Sequence, residues 1–273
     1  MEKLVLPVRK GGLGNQMFQV AAAIVYSFET GRLLVLPKEF YNAHNKSGQD
    51  YGDTIFRFAE NRLNVVMDQI AIDNLISSGW TIHPREPGYE FWQPDMSLRG
   101  NVILHGYFQS YPAISKYEKV IQSIYLTTLS KYVSKIKEND NRVGIHVRRG
   151  DYLMPPHSDV LPVQNMTYYT AAIERVKRET NTQYHIFSDD IEWCKKQPFF
   201  ASLPGVEFVD EPDECLTLAR MAECHGGFIC ANSTFSWWGA FLGAHSVGAP
   251  CVVPSRWFKG AEVHLFPQSW IVI

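Results

Sequence analysis

Hydrophobic and polar positions along this chain alternate in two rhythms. Short apolar runs of strand length recur, and most are followed by a longer stretch with helical spacing. Leu4–Val8 reads as a strand, followed by the glycine-rich run Arg9–Gln16. An Ala-rich helical run extends from Met17 to Thr30 with Gly31 as its stop, and Leu33–Leu36 reads as the next strand. Strand, glycine loop, helix and strand make one βαβ unit. From Pro37 to about Gly100 the pattern is poor. It holds polar loops over Asn42–Asp53, a helical candidate at Val66–Ser77 and a Pro- and aromatic-rich segment from Trp80 to Pro94. Long irregular segments in a compact domain often carry binding loops. Asn101–His105 resumes as strand, Ala113–Ile136 as a broken helix, and the charged run Lys135–Asn141 as a linker.

The second half is more regular. Val143–Val147, Tyr184–Phe187, Val206–Val209, Gly227–Ala231 and Cys251–Val253 read as strands. Between them lie helices over Thr167–Glu179, through Trp193 and Cys194, over Cys215–Cys224 behind the acidic start Pro212-Asp213-Glu214, and over Phe235–Ala244. Such alternation implies parallel sheets with right-handed crossovers, and ligands of these sheets sit beyond the carboxyl ends of strands. The polar candidates cluster there: His146, Arg148, Arg149 and Asp151 after one strand, Asp189 after the next, and Asn232, Ser233 and Thr234 after a third.

Each candidate has a functional and a structural reading. Two adjacent guanidiniums at a strand end repel, and a diphosphate would compensate them, because Arg offers fixed donor pairs to phosphate oxygens. A surface Arg–Asp ion-pair cluster is the structural alternative. Asp189 suits a base or ribose contact, or the cap of the helix that follows. Ser233, Thr234 and Ser236 open a helix and suit either capping or a phosphate at the unpaired amides. Trp237 and Trp238, consecutive on that helix, cannot both be expected to face one core, so one of them is expected to border a cleft or an interface.

Composition narrows the class. With 45% hydrophobic and 20% charged residues and a net charge of −2, the chain is that of a globular protein and gives no support to a nucleic-acid binder. The five cysteines form no C-x-x-C pair and read as buried free thiols rather than a zinc site. Met1–Pro7 does not read as a signal peptide, and no run approaches the roughly 18 apolar residues that cross a bilayer. The expectation is a cytoplasmic protein, with room for peripheral contact at the inner face of a membrane. No G-x-S-x-G turn supports a serine hydrolase. In the glycine-rich run, Gly12 and Gly14 fit a dinucleotide fingerprint, but Met17 stands at the third glycine position.

Five segments occur together and in order: Gly11-Gly12-Leu13-Gly14-Asn15-Gln16-Met17-Phe18-Gln19, Gly106-Tyr107-Phe108-Gln109-Ser110, His146-Val147-Arg148-Arg149-Gly150-Asp151-Tyr152, Phe187-Ser188-Asp189-Asp190 and Asn232-Ser233-Thr234-Phe235-Ser236-Trp237-Trp238-Gly239. This set resembles the α-1,2-fucosyltransferases of glycosyltransferase family 11 and spans nearly the whole chain. The resemblance implies a GT-B type α/β fold, two Rossmann-like halves facing across a cleft. Residues 1–138 would form the acceptor-side half and residues 139–273 the donor-binding half. It implies an inverting, metal-independent transfer of L-fucose from GDP-β-L-fucose to the 2-hydroxyl of a terminal galactoside in a glycan, with no cofactor beyond the donor. The absence of any Asp-x-Asp suits that reading, since guanidiniums and a helix N-terminus can stabilise the departing diphosphate.

Carried over by position, His146, Arg148 and Arg149 would meet the diphosphate, with Asp151 supporting the arginines. Asp189 would contact the nucleoside, while Ser233, Thr234 and Ser236 would line the phosphates beside Asn232, which would also bind the donor. Gly14, Asn15 and Gln16 would reach toward phosphate and fucose. Arg148 is the expected aid to the leaving group, and Asp151 is the motif carboxylate that is either a base or a brace. The competing readings are a related inverting transferase of other linkage or nucleotide sugar, and a non-catalytic nucleotide- or glycan-binding module.

Overall fold

A computed structural model describes residues 2–39, 51–59, 62–66, 68–83, 92–132, 141–176, 182–260 and 263–273. Most of the Asn42–Asp53 loop, the middle of Trp80–Pro94 and nearly all of Lys135–Asn141 lie outside the described residues. The chain divides into two compact units, Met1–Thr128 with Val263–Phe266, and Leu129–Glu262 with Pro267–Ile273. Among the described residues no helix is long and apolar enough to cross a membrane.

In the first unit the elements run β1 (Leu4–Pro7), α1 (Leu13–Thr30), β2 (Leu33–Leu34), β3 (Leu36–Glu39), β4 (Arg62–Val66), α2 (Gln69–Ser77), β5 (Thr81–Ile82), β6 (Val102–Leu104), α3 (Tyr111–Ser115) and α4 (Glu118–Leu129). Four strands form a parallel sheet in the order β2-β1-β6-β5, and β3 and β4 pair separately. The expected strand Leu33–Leu36 is therefore shared between two sheets. Helix α1 starts at Leu13, four residues before the expected Met17. Gly11 takes a left-handed φ of 78°, Gly12 is extended as N-cap, and the helix begins at once. Its flanks from Leu13 to Tyr26 are buried on nearly every side, so packing rather than propensity carries the helix through Gly14. Gly31, left-handed at φ 65°, ends it as expected, its N–H donating to the Ser27 carbonyl. The expected broken helix is two helices, with Pro112 in the first turn of α3.

In the second unit the order is β7 (Arg142–Val147), α5 (His157–Val160), α6 (Met166–Val176), β8 (Gln183–Ser188), α7 (Ile191–Lys195), α8 (Pro198–Ala201), β9 (Glu207–Val209), α9 (Glu214–Ala222), β10 (Gly227–Ile229), α10 (Thr234–Leu242), β11 (Cys251–Val253) and β12 (Ile271–Val272). All six strands are parallel, in the order β12-β11-β10-β7-β8-β9. Val143, Ile145 and Val147 pack on Tyr169, Ala172, Ile173 and Val176 of α6. On the other face of β7, a Cβ at Gly144 would run into the Phe228 ring and the Cys224 sulfur. Both faces of the sheet are thus covered, which is why its strands read as continuous apolar runs. Asp213 caps α9 by accepting from the Cys215 and Leu216 amides at 2.8 and 3.1 Å. The five cysteines are all buried free thiols.

The expectation that one tryptophan borders a cleft fails. Trp237 and Trp238 are both fully buried. Trp237 lies 4.7 Å from the Phe241 ring and 5.5 Å from Trp270, while Trp238 meets Trp237 and Phe241 edge-on. Helix α10 is covered all round, so consecutive positions need not choose between core and solvent.

Candidate active site

The chain leaves β7 toward β8 and β9 on one side of the sheet and returns to β10 and β11 on the other. The connections after β7 and β10 diverge, which opens a crevice beyond their carboxyl ends. That is where His146, Arg148, Arg149, Asp151, Asp189, Asn232, Ser233 and Thr234 fall.

Arg148 and Arg149 follow β7 directly, and a single 3-10 turn over Gly150–Leu153 brings Asp151 back toward them. Arg148 Nη2 donates to Asp151 Oδ1 at 2.7 Å, and its Nη1 lies 3.2 Å from Asp189 Oδ2. The Arg149 amide donates to Asp189 Oδ1 at 2.9 Å, and Arg149 Nε donates to Asp190 Oδ2 at 3.2 Å. Each guanidinium also lies over a ring, Arg148 at 5.4 Å from the Tyr152 centroid and Arg149 at 3.8 Å from Trp193. A side chain at Gly150 would clash with the Asp189 carboxylate, so only glycine lets β8 approach this closely.

The two guanidiniums therefore do not depend on an outside anion for compensation. Three carboxylates, Asp151, Asp189 and Asp190, face them within the chain. What marks the place as a site is the set of donors left over. Arg148 Nε is buried without a hydrogen-bond partner. Nη1 and Nη2 of Arg149 have no partner among the described residues. His146 Nδ1 is likewise buried and unpartnered. Burial, with the Arg148 charge adding to it, pushes the His146 imidazole down to about 3, so it stays neutral near pH 7. Orphaned buried polar atoms are rare enough to call for a ligand or a functional cause.

The turn after β10 completes the edge. Asn232 donates through Nδ2 to the Trp257 carbonyl at 3.1 Å and accepts from Gln164 Nε2 at 3.3 Å, so its amide shapes the loop. Tyr152 donates to the Asn232 carbonyl at 2.9 Å, tying the β7 turn to the β10 turn. Ser236 is fully buried, with its hydroxyl 3.0 Å from the Ala231 carbonyl. Ser233 is the N-cap of α10 but its side chain makes no capping bond, and the first turn holds no acidic residue. The amides at the start of the nine-residue α10 lack intrahelical acceptors and give that end a partial positive charge.

The first unit carries a second edge beside the adjacent parallel strands β1 and β6. Gly14, Asn15 and Gln16 stand in the first turn of α1, which has neither a side-chain cap nor an acidic residue. Asn15 Oδ1 accepts from Gln109 Nε2 at 3.0 Å, joining the loops that follow β1 and β6. Gln16 is fully buried and donates to the Gly11 carbonyl at 2.9 Å, while its Oε1 has no partner. Gln19 clamps Lys10 from both sides, accepting from its amide at 2.8 Å and donating to its carbonyl at 3.1 Å.

Sequence reasoning expected Asp151 to support the arginines, and it does, but it missed Trp193 and Asp190, two of the residues that hold Arg149. Trp193 entered only as part of a short helix, and nothing in its spacing marks it as the platform under Arg149. Asp190, not Asp189, caps α7, accepting from the Trp193 amide at 3.2 Å while its other oxygen holds Arg149. Gln164 and Trp257 lie outside every segment singled out. A carboxylate followed three positions later by an aromatic at a helix start was the one available signal.

Comparisons with known proteins identify the family. The model for "Glycosyl transferase family 11" matches residues 8–257. The chain is similar to an "Alpha-1,2-colitosyltransferase" of Escherichia coli, 28% identical over 96% of either chain. It is 30% identical to the "O-antigen biosynthesis glycosyltransferase WbnK" of Escherichia coli, covering 96% of this chain and 97% of that one. Among solved structures it resembles a variant of Arabidopsis thaliana FUT1 in complex with GDP, with a TM-score of 0.51 and 14% identity over 93% of this chain and 70% of that one. It also resembles the NodZ alpha-1,6-fucosyltransferase co-crystallised with GDP, with a TM-score of 0.50 and 13% identity over 89% and 93%. These structural likenesses bear on the fold, a GT-B type pair of Rossmann-like halves. With a family match across nearly its whole length, the chain belongs to glycosyl transferase family 11.

Proposed function

We propose that this glycosyltransferase moves L-fucose from GDP-β-L-fucose to the 2-hydroxyl of a terminal galactoside, with inversion and without a metal. The observation that carries the reading is the unfilled donor set at the β7/β10 edge: Arg148 Nε, the outer nitrogens of Arg149 and the uncapped start of α10. Those donors suit the oxygens of a nucleoside diphosphate, whose charge grows as the sugar departs. Residues 139–273 are the donor-binding half in this reading and residues 1–138 the acceptor-side half. Ser233 and Thr234 line the phosphates, Asn232 and Ser236 shape the turn that presents them, and Asp189 holds the arginine loop beneath the nucleotide. Gly14, Asn15 and Gln16 serve the sugar from the first unit. No cofactor is needed. The setting is cytoplasmic, where surface glycans are assembled, with peripheral membrane contact as an option.

A second reading is favoured by the similarity to a colitosyltransferase. Colitose is L-fucose without its 3-hydroxyl, so the two donors differ by one hydrogen-bonding group. A pocket that binds that hydroxyl rejects the deoxy sugar strongly, whereas one that does not accepts both. The test is turnover with GDP-fucose and GDP-colitose on a panel of galactosides, with and without chelator, and product linkage by NMR. The expected product is an α-1,2-linked fucoside formed at an unchanged rate in chelator. Another linkage, a strict preference for GDP-colitose or a divalent-cation requirement would each overturn the corresponding part.

A further inference from the structure

Inversion at the anomeric carbon needs a group to take the acceptor's proton, and the motif carboxylates are occupied. Asp151 Oδ1 accepts from Arg148 at 2.7 Å, and both oxygens of Asp189 face the arginines. The second oxygen of Asp151 points elsewhere. Oδ2 lies 3.6 Å from His157 Nε2, on the first residue of α5. The His157 side chain is 44% exposed, in contrast to the buried, neutral His146. The other charged groups around α5 are Asp159 on its own turn, Lys259, whose Nζ donates to the Ser158 carbonyl at 2.6 Å, and Arg148 beyond Asp151.

From this geometry we infer that His157 is the proton acceptor of the transfer reaction and that Asp151 is its positioning residue. The inference rests on the proposed glycosyl transfer. Histidine is the side chain most often used as a general base, and its ring can take a proton on one nitrogen while the other faces a carboxylate. Asp151 Oδ2 faces the Nε2 side of the ring at 3.6 Å, which leaves Nδ1 as the nitrogen for the incoming proton. The acceptor hydroxyl oxygen bonds to the anomeric carbon as the bond from that carbon to the β-phosphate oxygen breaks. The electron pair of that bond leaves with GDP, and the hydroxyl proton moves to His157 Nδ1 and then to solvent. The imidazolium formed is stabilised by Asp151, as a buried carboxylate stabilises the histidine of a hydrolytic triad. Asp151 thereby serves both sides, bracing the leaving-group arginine and orienting the base.

The test is H157Q, which keeps a polar side chain but takes no proton, assayed with whichever of GDP-fucose and GDP-colitose the native enzyme turns over. GDP binding, measured separately, reports that the variant is folded and that its donor edge is intact. The expected result is a loss in kcat of roughly 100-fold or more, with GDP affinity and donor KM unchanged. H157Q turning over within threefold of the native rate overturns the inference alone. So does H157Q losing GDP affinity in step with its rate. A native enzyme that turns over neither donor overturns the proposed function, and the inference falls with it.

Discussion

The two units each hold an edge beside two adjacent parallel strands where a helix begins without a side-chain cap, and they fill it with different chemistry. At the β7/β10 edge the loops carry Arg148, Arg149, Asp151, Asp189 and Asp190, each side chain tied to an oppositely charged one. At the β1/β6 edge Arg9 and Lys10 lie over the Phe56 and Tyr107 rings, and the side chains at the start of α1 and after β6 are the neutral amides of Asn15, Gln16, Gln19 and Gln109, tied to one another and to the backbone. On the proposed function, the difference follows from what each would hold. A diphosphate needs fixed charge, and fixed charge near a sheet edge must be braced by carboxylates and rings or it would reorganise when the ligand leaves. A sugar offers hydroxyls, which neutral amides can match without a desolvated ion.

The largest test of that contrast is Arg148→Ala. The guanidinium is the junction of Asp151, Asp189 and the Tyr152 ring, so its loss removes charge from the departing diphosphate and frees two carboxylates beside it. Transfer should fall by about 10³-fold, and GDP affinity should fall with it. Arg148→Lys should rescue little, because one ammonium cannot satisfy both aspartates in the fork geometry. A thermal melt close to that of the native protein would separate this from unfolding. Near-native turnover in Arg148→Ala would mean that the β7/β10 edge is not the anion edge.

A smaller effect should come from the support of Arg149. Trp193→Leu removes the ring 3.8 Å beneath the guanidinium while leaving the Asp190 bond in place. The donor KM should rise by about three- to tenfold, in line with roughly 1 kcal/mol for a partly exposed cation–π contact. Trp193→Phe should recover most of it, and kcat should move less than KM. A kcat effect with unchanged KM would make Trp193 part of the chemical step and not a support.

How much of this was legible in the sequence follows the same division. The second unit's strands are buried on both faces, so their apolar runs stand out, and the residues after β7, β8 and β10 fall at the edge that the strand pattern marks. The first unit was harder to read. Its sheet strands are two to four residues long, and β3 and β4 pair apart from the main sheet inside a stretch of poor pattern. The start of α1 was missed by four residues because a glycine at position 14 argues against helix locally, and only burial overrides it. Charges can be read along a chain, whereas their supports come from elsewhere in it: Trp193 and Asp190 meet Arg149 only through the β7–β8 pairing. The tryptophan pair was misjudged for the same reason, since Trp270 arrives from the far end of the chain to cover Trp237.

The smallest effect on nucleotide binding should come from the neutral edge. Gln16→Leu removes the donor to the Gly11 carbonyl and the buried Oε1, which has no partner within the chain. Leaving a backbone carbonyl unsatisfied should cost about 1–3 kcal/mol of stability, visible as a lower melting temperature. If the first unit reads the sugar and leaves the diphosphate to the second, the GDP dissociation constant of Gln16→Leu should stay within about threefold of native, under 1 kcal/mol. Turnover of the full sugar donor should still drop, because the missing amide is felt only when fucose is present. Calorimetry with GDP alone, set beside donor kinetics, makes the distinction. A loss of GDP affinity as large as that of Arg148→Ala would show that amides and guanidiniums share the anion, and the division of labour between the two edges would have to be abandoned.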